Sequence, residues 1–154
     1  MLVKKLNHLP VHHIDACTVT ELLLDQEEKI PCKRYLNKVG YNYQGKISFN
    51  VLGEITKNLL TEIDESWIKE QAFIMLDDLI YKRRIDFYSP QCTAFNIALE
   101  INRLDTRIES ADALHVACAI EDKANAFVTI DTTLLRSKKI KEKFGLKIKH
   151  PMDY

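Results

Sequence analysis

Residues 110–131, SADALHVACAIEDKANAFVTID, run from a helix-like segment into the most apolar strand candidate of the chain. Apolar residues in the first part, among them Val116 and Ile120, recur at the spacing of one helix face. Residues 126–130 are then almost entirely apolar, and Asp131 follows them directly. A helix that leads straight into a buried strand is typical of parallel α/β sheets.

The same alternation of short extended segments and longer helical ones continues in both directions along the chain. Strands are predicted at Val11–Ile14, Lys46–Phe49, Ile85–Tyr88, 126–130 and Leu146–Ile148. Helices are predicted at about 19–24, 32–39, 51–60, 65–82, 91–104, 111–125 and 132–144, with Asp64 or Ser66 capping the fourth, Ser110 capping the sixth and Gly145 ending the last. This alternation predicts an α/β fold, a three-layer α/β/α sandwich around a mostly parallel five-stranded sheet.

The length and composition are those of one ordinary globular domain. The 154 residues are 46% hydrophobic and 29% charged, which fits a single domain over residues 1–154. Four Gly and four Pro are too few for a collagen-like or linker-rich chain. Lys+Arg and Asp+Glu balance at 22 each, so no global basic charge indicates nucleic acid, although a local patch would be enough to bind it.

The lack of a recognisable export signal and the scattered cysteines lead us to expect a cytoplasmic protein. Residues 1–15 lack the apolar core of a secretory signal, and no stretch approaches the roughly 18 consecutive apolar residues that span a membrane. The four cysteines, Cys17, Cys32, Cys92 and Cys118, are scattered without a Cys-x-x-Cys pair. We therefore expect reduced thiols and no structural zinc site.

Four acidic residues fall where an α/β sheet places its functional groups. Asp15 and Asp131 directly follow strands, Glu54 lies one turn into a helix, and Asp112 lies in the first turn of another. Singly, Asp131 could be an N-cap, Asp112 could complement a helix dipole and Glu54 could be solvated. Asp15 needs a cation or hydrogen-bond donors, since it ends a buried strand. Together the four carboxylates predict a site for a hard cation, Mg²⁺ or Mn²⁺.

The chain resembles a PIN domain along nearly its whole length. The resemblance lies in Ile14-Asp15-Ala16-Cys17, in residues 49–55 (FNVLGEI), in residues 110–119 (SADALHVACA) and in Val128-Thr129-Ile130-Asp131. It implies metal-dependent cleavage of single-stranded RNA, with Asp15, Glu54, Asp112 and Asp131 as the catalytic and metal-binding residues. Small single-domain members are mostly VapC-type toxins, so the resemblance also implies a small antitoxin partner, a homodimer and products with a 3′-hydroxyl and a 5′-phosphate.

Some residues depart from the family pattern and leave a second function open. Cys17 stands where the family often has Asn or Ser, so a supporting hydrogen bond could be lost or taken over by Thr18. His12 and His13 lie in a usually apolar strand and are interpreted as satisfied core or edge histidines rather than metal ligands or proton carriers. His115 is expected to pack beside the acids rather than act in catalysis. The alternative function is a catalytically idle PIN-like module that binds RNA or protein. A larger structure-specific DNA nuclease would need a helical region for which the chain has no room.

Two further features bear on partners. The predicted helix over 65–82 carries more large apolar side chains, including Trp67, Phe73 and Ile74, than one small core needs, which favours a twofold-symmetric dimer. Basic clusters at Lys82–Arg84 and Lys138–Lys139, with Arg103 and Arg107 before Asp112, could contact phosphates, but most such charges are solvated. No single RNA-binding residue is assigned from them.

Overall fold

The structure, a computed structural model, describes residues 9–154. The first eight residues of the segment searched for an export signal therefore lie outside the described part. The strands are β1 (Val11–Ile14), β2 (Gln44–Ser48), β3 (Asp86–Tyr88), β4 (Ala126–Val128) and β5 (Lys147–Lys149). The helices are α1 (Ala16–Leu23), α2 (Lys29–Leu36), α3 (Phe49–Glu62), α4 (Ser66–Arg83), α5 (Cys92–Leu104), α6 (Ser110–Glu121), α7 (Thr132–Arg136) and α8 (Lys138–Phe144), and a 3-10 helix covers Pro151–Asp153.

The five strands form one parallel sheet in the order β3-β2-β1-β4-β5. The chain leaves β1 towards β2 and β3 and then crosses back to β4 on the other side of β1. The strand order therefore reverses between β1 and β4, and in open α/β sheets ligands bind at the carboxyl ends of the strands at such a point. Ile14 at the end of β1 pairs with Val128 at the end of β4, so the residues that follow both strands meet at this edge.

Helices cover both faces of the sheet, which confirms the predicted three-layer α/β/α sandwich. Successive side chains of a strand point to opposite faces. Ile14 and Val128 belong to the core under α1 to α4, whereas Phe127 and Ile148 belong to the second core, under α5, α6 and α8. The central strand β1 is buried on both faces and still carries His12 and His13, whose rings therefore need partners in the two cores.

Several predicted boundaries are wrong at the level of single residues. The predicted helix 132–144 is two helices, because the chain leaves the helical conformation at Ser137 (ψ 91°), whose hydroxyl donates to Asp105 Oδ2 at 3.1 Å. Ser110 is the first residue of α6 rather than its cap, and the residue before it, Glu109, makes no side-chain cap. Phe49 begins α3 instead of ending β2.

Neither Asp64 nor Ser66 caps α4, whose N-cap is Glu65. Leu60, predicted on the apolar face of its helix, is half exposed. In α4 only Ala72 and Leu76 are fully buried.

Trp67 and Ile74 are 65% and 51% exposed, so the predicted surplus of apolar side chains over the needs of the core is confirmed. All four cysteines are free. No helix within residues 9–154 is long and apolar enough to cross a membrane.

The paired histidines of β1 are core residues, as predicted. His12 is 2% exposed, and its Nδ1 lies 3.1 Å from the hydroxyl of Tyr35. His13 is equally buried on the other face, with Nε2 2.9 Å from Asp122 Oδ2. Both rings have local partners at some distance from the sheet edge, so the candidate site is built from other residues.

Candidate active site at the carboxyl edge of the sheet

Asp15 is the most firmly held carboxylate of the site. It follows β1 directly, is 4% exposed and serves as the N-cap of α1, where Oδ1 accepts a hydrogen bond from the Ala16 N–H at 2.9 Å. Oδ2 accepts from the hydroxyl of Thr129 at 2.6 Å and from the thiol of Cys17 at 3.2 Å. A buried carboxylate with these donors has one fixed orientation.

Thr129 links the two strand ends. While its hydroxyl donates to Asp15, its oxygen also accepts a hydrogen bond from the Asp131 N–H at 2.9 Å. Asp131 in turn caps α7, accepting from the Leu134 N–H at 2.8 Å. Asp131 is thus the N-cap that the sequence allowed, and it also lies beside the other acids of this edge, since it contributes to the electrostatic environment of Asp112.

His115 lies between two of the predicted acids. Its Nδ1 is 3.3 Å from Asp15 Oδ1 and its Nε2 is 3.5 Å from Glu54 Oε2, while the ring itself is 2% exposed. Nδ1 is buried without an aligned hydrogen bond, so its contact with Asp15 is an ion-pair contact rather than a well-directed bond. The imidazole therefore occupies the space between a strand end and the side of α3.

Burial and mutual repulsion raise the pKa of two of the carboxylates. Burial is the main cause for Asp112, and the neighbouring Asp15 and Asp131 add to it, bringing its pKa to about 6. Burial also raises the pKa of Glu54, against the attraction of His115. For Asp15 burial acts in the same direction, but His115, Thr129 and Cys17 outweigh it and its pKa is lowered. Asp15 therefore differs from Asp112 and Glu54, because its hydrogen-bond partners favour the ionised form despite its burial.

The pKa of His115 is raised. Burial opposes its protonation, but the close contact with the Asp15 carboxylate and the charges of Glu54 and Asp112 outweigh burial. A cationic imidazole offsets part of the negative charge that these carboxylates bring together.

The chemistry of these donors suits a divalent cation, but their present spacing does not. Carboxylate oxygens are the ligands of Mg²⁺ and Mn²⁺, and their mutual repulsion, visible in the raised pKa of Asp112, is what such a cation relieves. Within the described residues, however, no three side chains of His, Cys, Asp or Glu converge closely enough to hold a metal ion as they stand. The donor set fits, and His115 holds part of the space between its members.

Cys17 keeps the supporting hydrogen bond that its replacement of Asn or Ser put in question. Its thiol contacts both Asp15 and Thr129, the latter at 3.3 Å. The hydroxyl of Thr18 instead points to the Val128 carbonyl at 3.3 Å, so the expectation that Thr18 could take over the bond is wrong. The sequence analysis gave Thr129 no role of its own. Its position two residues before Asp131, at the end of a predicted strand, could have indicated that it lies beside the acids.

Several of the basic residues considered as phosphate contacts form hydrogen bonds or ion pairs within the protein. Arg107 forms two hydrogen bonds to the carboxylate of Asp105, Lys139 donates to the Leu104 carbonyl, and Lys82 pairs with Asp78. These contacts favour the solvated or structural interpretation of the charges.

One cavity adjoins the acids. It has a volume of about 380 Å³, lies between α3 and the start of α6, and has Glu54 and His115 in its wall. Two larger cavities, of about 460 and 420 Å³, lie near Ile63 and near Met152, and neither is lined by any of the four acids.

Solved structures of bacterial toxin–antitoxin proteins share this architecture. VapBC2 from Rickettsia felis, bound to a DNA fragment from its promoter, matches with a TM-score of 0.68 and 17% identity over 91% of this chain and 98% of that chain. FitAcB from Neisseria gonorrhoeae matches with a TM-score of 0.66 and 14% identity over 93% and 99%. VapC20 from Mycobacterium tuberculosis, described as a Sarcin-Ricin loop cleaving toxin, matches with 0.62 and 17% over 86% and 95%.

These similarities establish the class of fold. The chain has the VapC-type PIN-domain fold that its sequence predicts, and the similarity spans nearly the full length of each of these chains. No family model matches the sequence, and no curated protein matches it.

Proposed function

We propose that the protein is a divalent-metal-dependent endoribonuclease that cleaves single-stranded RNA and acts as the toxin of a toxin–antitoxin pair. The observation that supports the proposal is that His115 contacts both Asp15 and Glu54 where the strand order of a VapC-type fold reverses, and that, besides burial, Asp15, Asp131 and Glu54 all raise the pKa of Asp112. Asp15 and Asp131 also cap helices, but repulsion between the four carboxylates opposes that stabilisation, and a bound cation would relieve the repulsion.

Each group has a distinct task in this proposal. Asp15, Glu54, Asp112 and Asp131 would hold the cation, which when bound supplies charge neutralisation and an activated water. Thr129 and Cys17 fix the direction of the Asp15 carboxylate. His115 contacts both Asp15 and Glu54 and would therefore neighbour a cation held by these two carboxylates.

The antitoxin part of the proposal draws on the solved neighbours. VapBC2 from Rickettsia felis and FitAcB from Neisseria gonorrhoeae match this chain over at least nine-tenths of its length. A VapBC-1 structure from nontypeable Haemophilus influenzae matches over 92% of it. We propose a small protein partner of the same kind, encoded beside this chain.

The deciding experiment incubates the purified protein with a single-stranded RNA of mixed sequence and Mn²⁺ or Mg²⁺, with EDTA as the paired control. Cleavage should require the metal and should yield 5′-phosphate ends. Asp15→Asn should abolish it without unfolding the protein, whereas Asp25→Asn, an exposed acid outside the site, should leave it unchanged.

Two results would count against this function. Undiminished cleavage in excess EDTA, with contaminating nucleases excluded, would contradict the metal mechanism. Absence of cleavage under every metal, with RNA binding intact, would favour the catalytically idle RNA-binding module.

A further inference from the structure

The cavity beside Glu54 adjoins the proposed cation site and shares one of its carboxylates, while Asp15, Asp112 and Asp131 do not line it. Glu54 and His115 lie in its wall. The rest of the lining comes from the exposed side of α3, namely Asn50, Gly53, Lys57 and Asn58, and from Glu109 and Ala111 before and in α6. If one part of a ligand binds at the acids, the adjoining part of the same ligand can therefore lie in this cavity.

The polar groups in the lining are available to a ligand. The side-chain hydrogen bonds and ion pairs of α3 and its cap, within the described part of the chain, use Ser48, Thr56, Thr61, Glu62 and the Glu54–His115 contact. None of them uses the amides of Asn50 or Asn58 or the ammonium of Lys57. These amides offer both donors and acceptors, Lys57 offers donors, and Glu109 offers acceptors.

Gly53 is the second observation that points to a ligand. Glycine in a helix interior is unfavourable relative to alanine, so its presence needs a reason. The backbone gives none, since Gly53 has no positive φ and a Cβ built on it meets no atom within 4 Å. The space that a longer side chain would enter is the cavity, so Gly53 keeps that space open.

The chemistry of the lining fits a nucleobase better than a phosphate. A phosphate subsite needs an excess of positive charge, whereas here the two acids Glu54 and Glu109 outnumber Lys57. A base edge presents donors and acceptors side by side, and amide, ammonium and carboxylate groups are the side chains that read it. Proteins that select sequences in RNA do so mostly on single-stranded bases that can turn out of the stack.

We infer that this cavity is a base-reading subsite, which receives one nucleobase of a single-stranded RNA next to the phosphate held at the acids. The inference rests on the proposed function for its choice of ligand. Asn50 and Asn58 are specificity-determining residues in it, and Gly53 provides room for the ring.

Binding in the absence of cleavage tests this subsite independently of catalysis. In the Asp15→Asn background, with Mn²⁺ present, the affinities of short homopolymeric single-stranded RNAs of A, C and U are compared by fluorescence anisotropy. We expect unequal affinities for the three RNAs. Gly53→Leu, which fills the cavity, and the double variant Asn50→Ala/Asn58→Ala should each reduce the preference for the best base by about tenfold.

Matched controls separate the cavity from the fold. Gly53→Ala adds one methyl group in open space and should keep the preference, as should Asn96→Ala on the exposed side of α5. Unfolding midpoints within the range of the controls show that the variants are folded.

Equal affinity for all three RNAs, no RNA binding at all, or an unchanged preference in Gly53→Leu would each overturn the inference. The cleavage assay on the parent protein reports separately on the proposed function. A parent that discriminates bases but never cleaves would contradict the nuclease and leave the subsite standing.

Discussion

Replacing Thr129 by valine should be among the most damaging conservative changes at the site. The side chain is fully buried, and its hydroxyl donates to Asp15 at 2.6 Å and accepts from the Asp131 N–H at 2.9 Å. A hydrogen bond to a charged group contributes about 1.5–3 kcal/mol and a neutral one about 0.5–1.5 kcal/mol. Because valine keeps the volume and removes both bonds, we expect Thr129→Val to lower the free energy of unfolding by about 2–4 kcal/mol.

Urea unfolding at neutral pH measures this loss, and a thermal scan should show a fall of roughly 5–15 °C for a domain of this size. Thr18→Val is the matched control, since Thr18 is equally buried but donates only to the neutral Val128 carbonyl at 3.3 Å. Its cost should be about 1 kcal/mol. If Thr129→Val costs no more than Thr18→Val, the Thr129 hydroxyl does not orient the Asp15 carboxylate as argued.

The remaining predictions concern pH, packing, metal and assembly. Burial lowers the pKa of His12 from its usual 6.5 to about 4, so the unfolded chain binds the extra proton between these values. The contribution of His12 to the free energy of unfolding should therefore be fully present above pH 6.5, and the free energy should fall by up to about 3 kcal/mol as the pH drops to about 4. Chemical denaturation across this pH range should show a smaller fall in His12→Phe. Gly45→Ala should cost about 1–3 kcal/mol in urea unfolding, because its Cβ would lie 2.5 Å from Val39 Cγ1. A hundredfold excess of Mn²⁺ over its Kd should add about 2.7 kcal/mol and raise the melting temperature, much less so in Asp15→Asn, while EDTA should leave the fold intact. Sedimentation of the parent protein at a concentration of roughly tens of micromolar should show a dimer, and Trp67→Ala should weaken the dimer. A parent protein that is only monomeric would contradict this prediction.

The sequence predicts the fold well because its strongest signals are the ones that topology depends on. Five short strands separated by helices favour a parallel sheet, and the positions of Asp15 and Asp131 after strands follow from the same pattern. Element boundaries were less predictable, since tertiary contacts move them. The helix over 132–144 breaks because Ser137 bonds to Asp105, thirty-two residues earlier in the chain, and no local pattern contains that information.

In the candidate site, too, features set by local sequence could be predicted, and contacts between distant parts of the chain could not. The acids could be predicted from their positions after strands and in first helical turns. The contacts that orient them could not, because Thr129 reaches Asp15 across more than a hundred residues of sequence. The position of His115, three residues after Asp112, suggested a shared helix face but gave no indication that its two nitrogens face Asp15 and Glu54.

The two halves of the site are held very differently, and this difference bears on how a ligand would act. On the strand side, Asp15 and Asp131 are fixed by backbone N–H groups, and Asp15 also by a hydroxyl and a thiol. On the helix side, burial and neighbouring charges dominate the raised pKa values of Glu54 and Asp112. Directed hydrogen bonds therefore set the orientation of the strand-side carboxylates, so Asp15 and Asp131 would supply fixed ligands to a bound cation. Glu54 also lines the adjacent cavity, so it is the residue through which the proposed cation site and the proposed base-reading subsite adjoin.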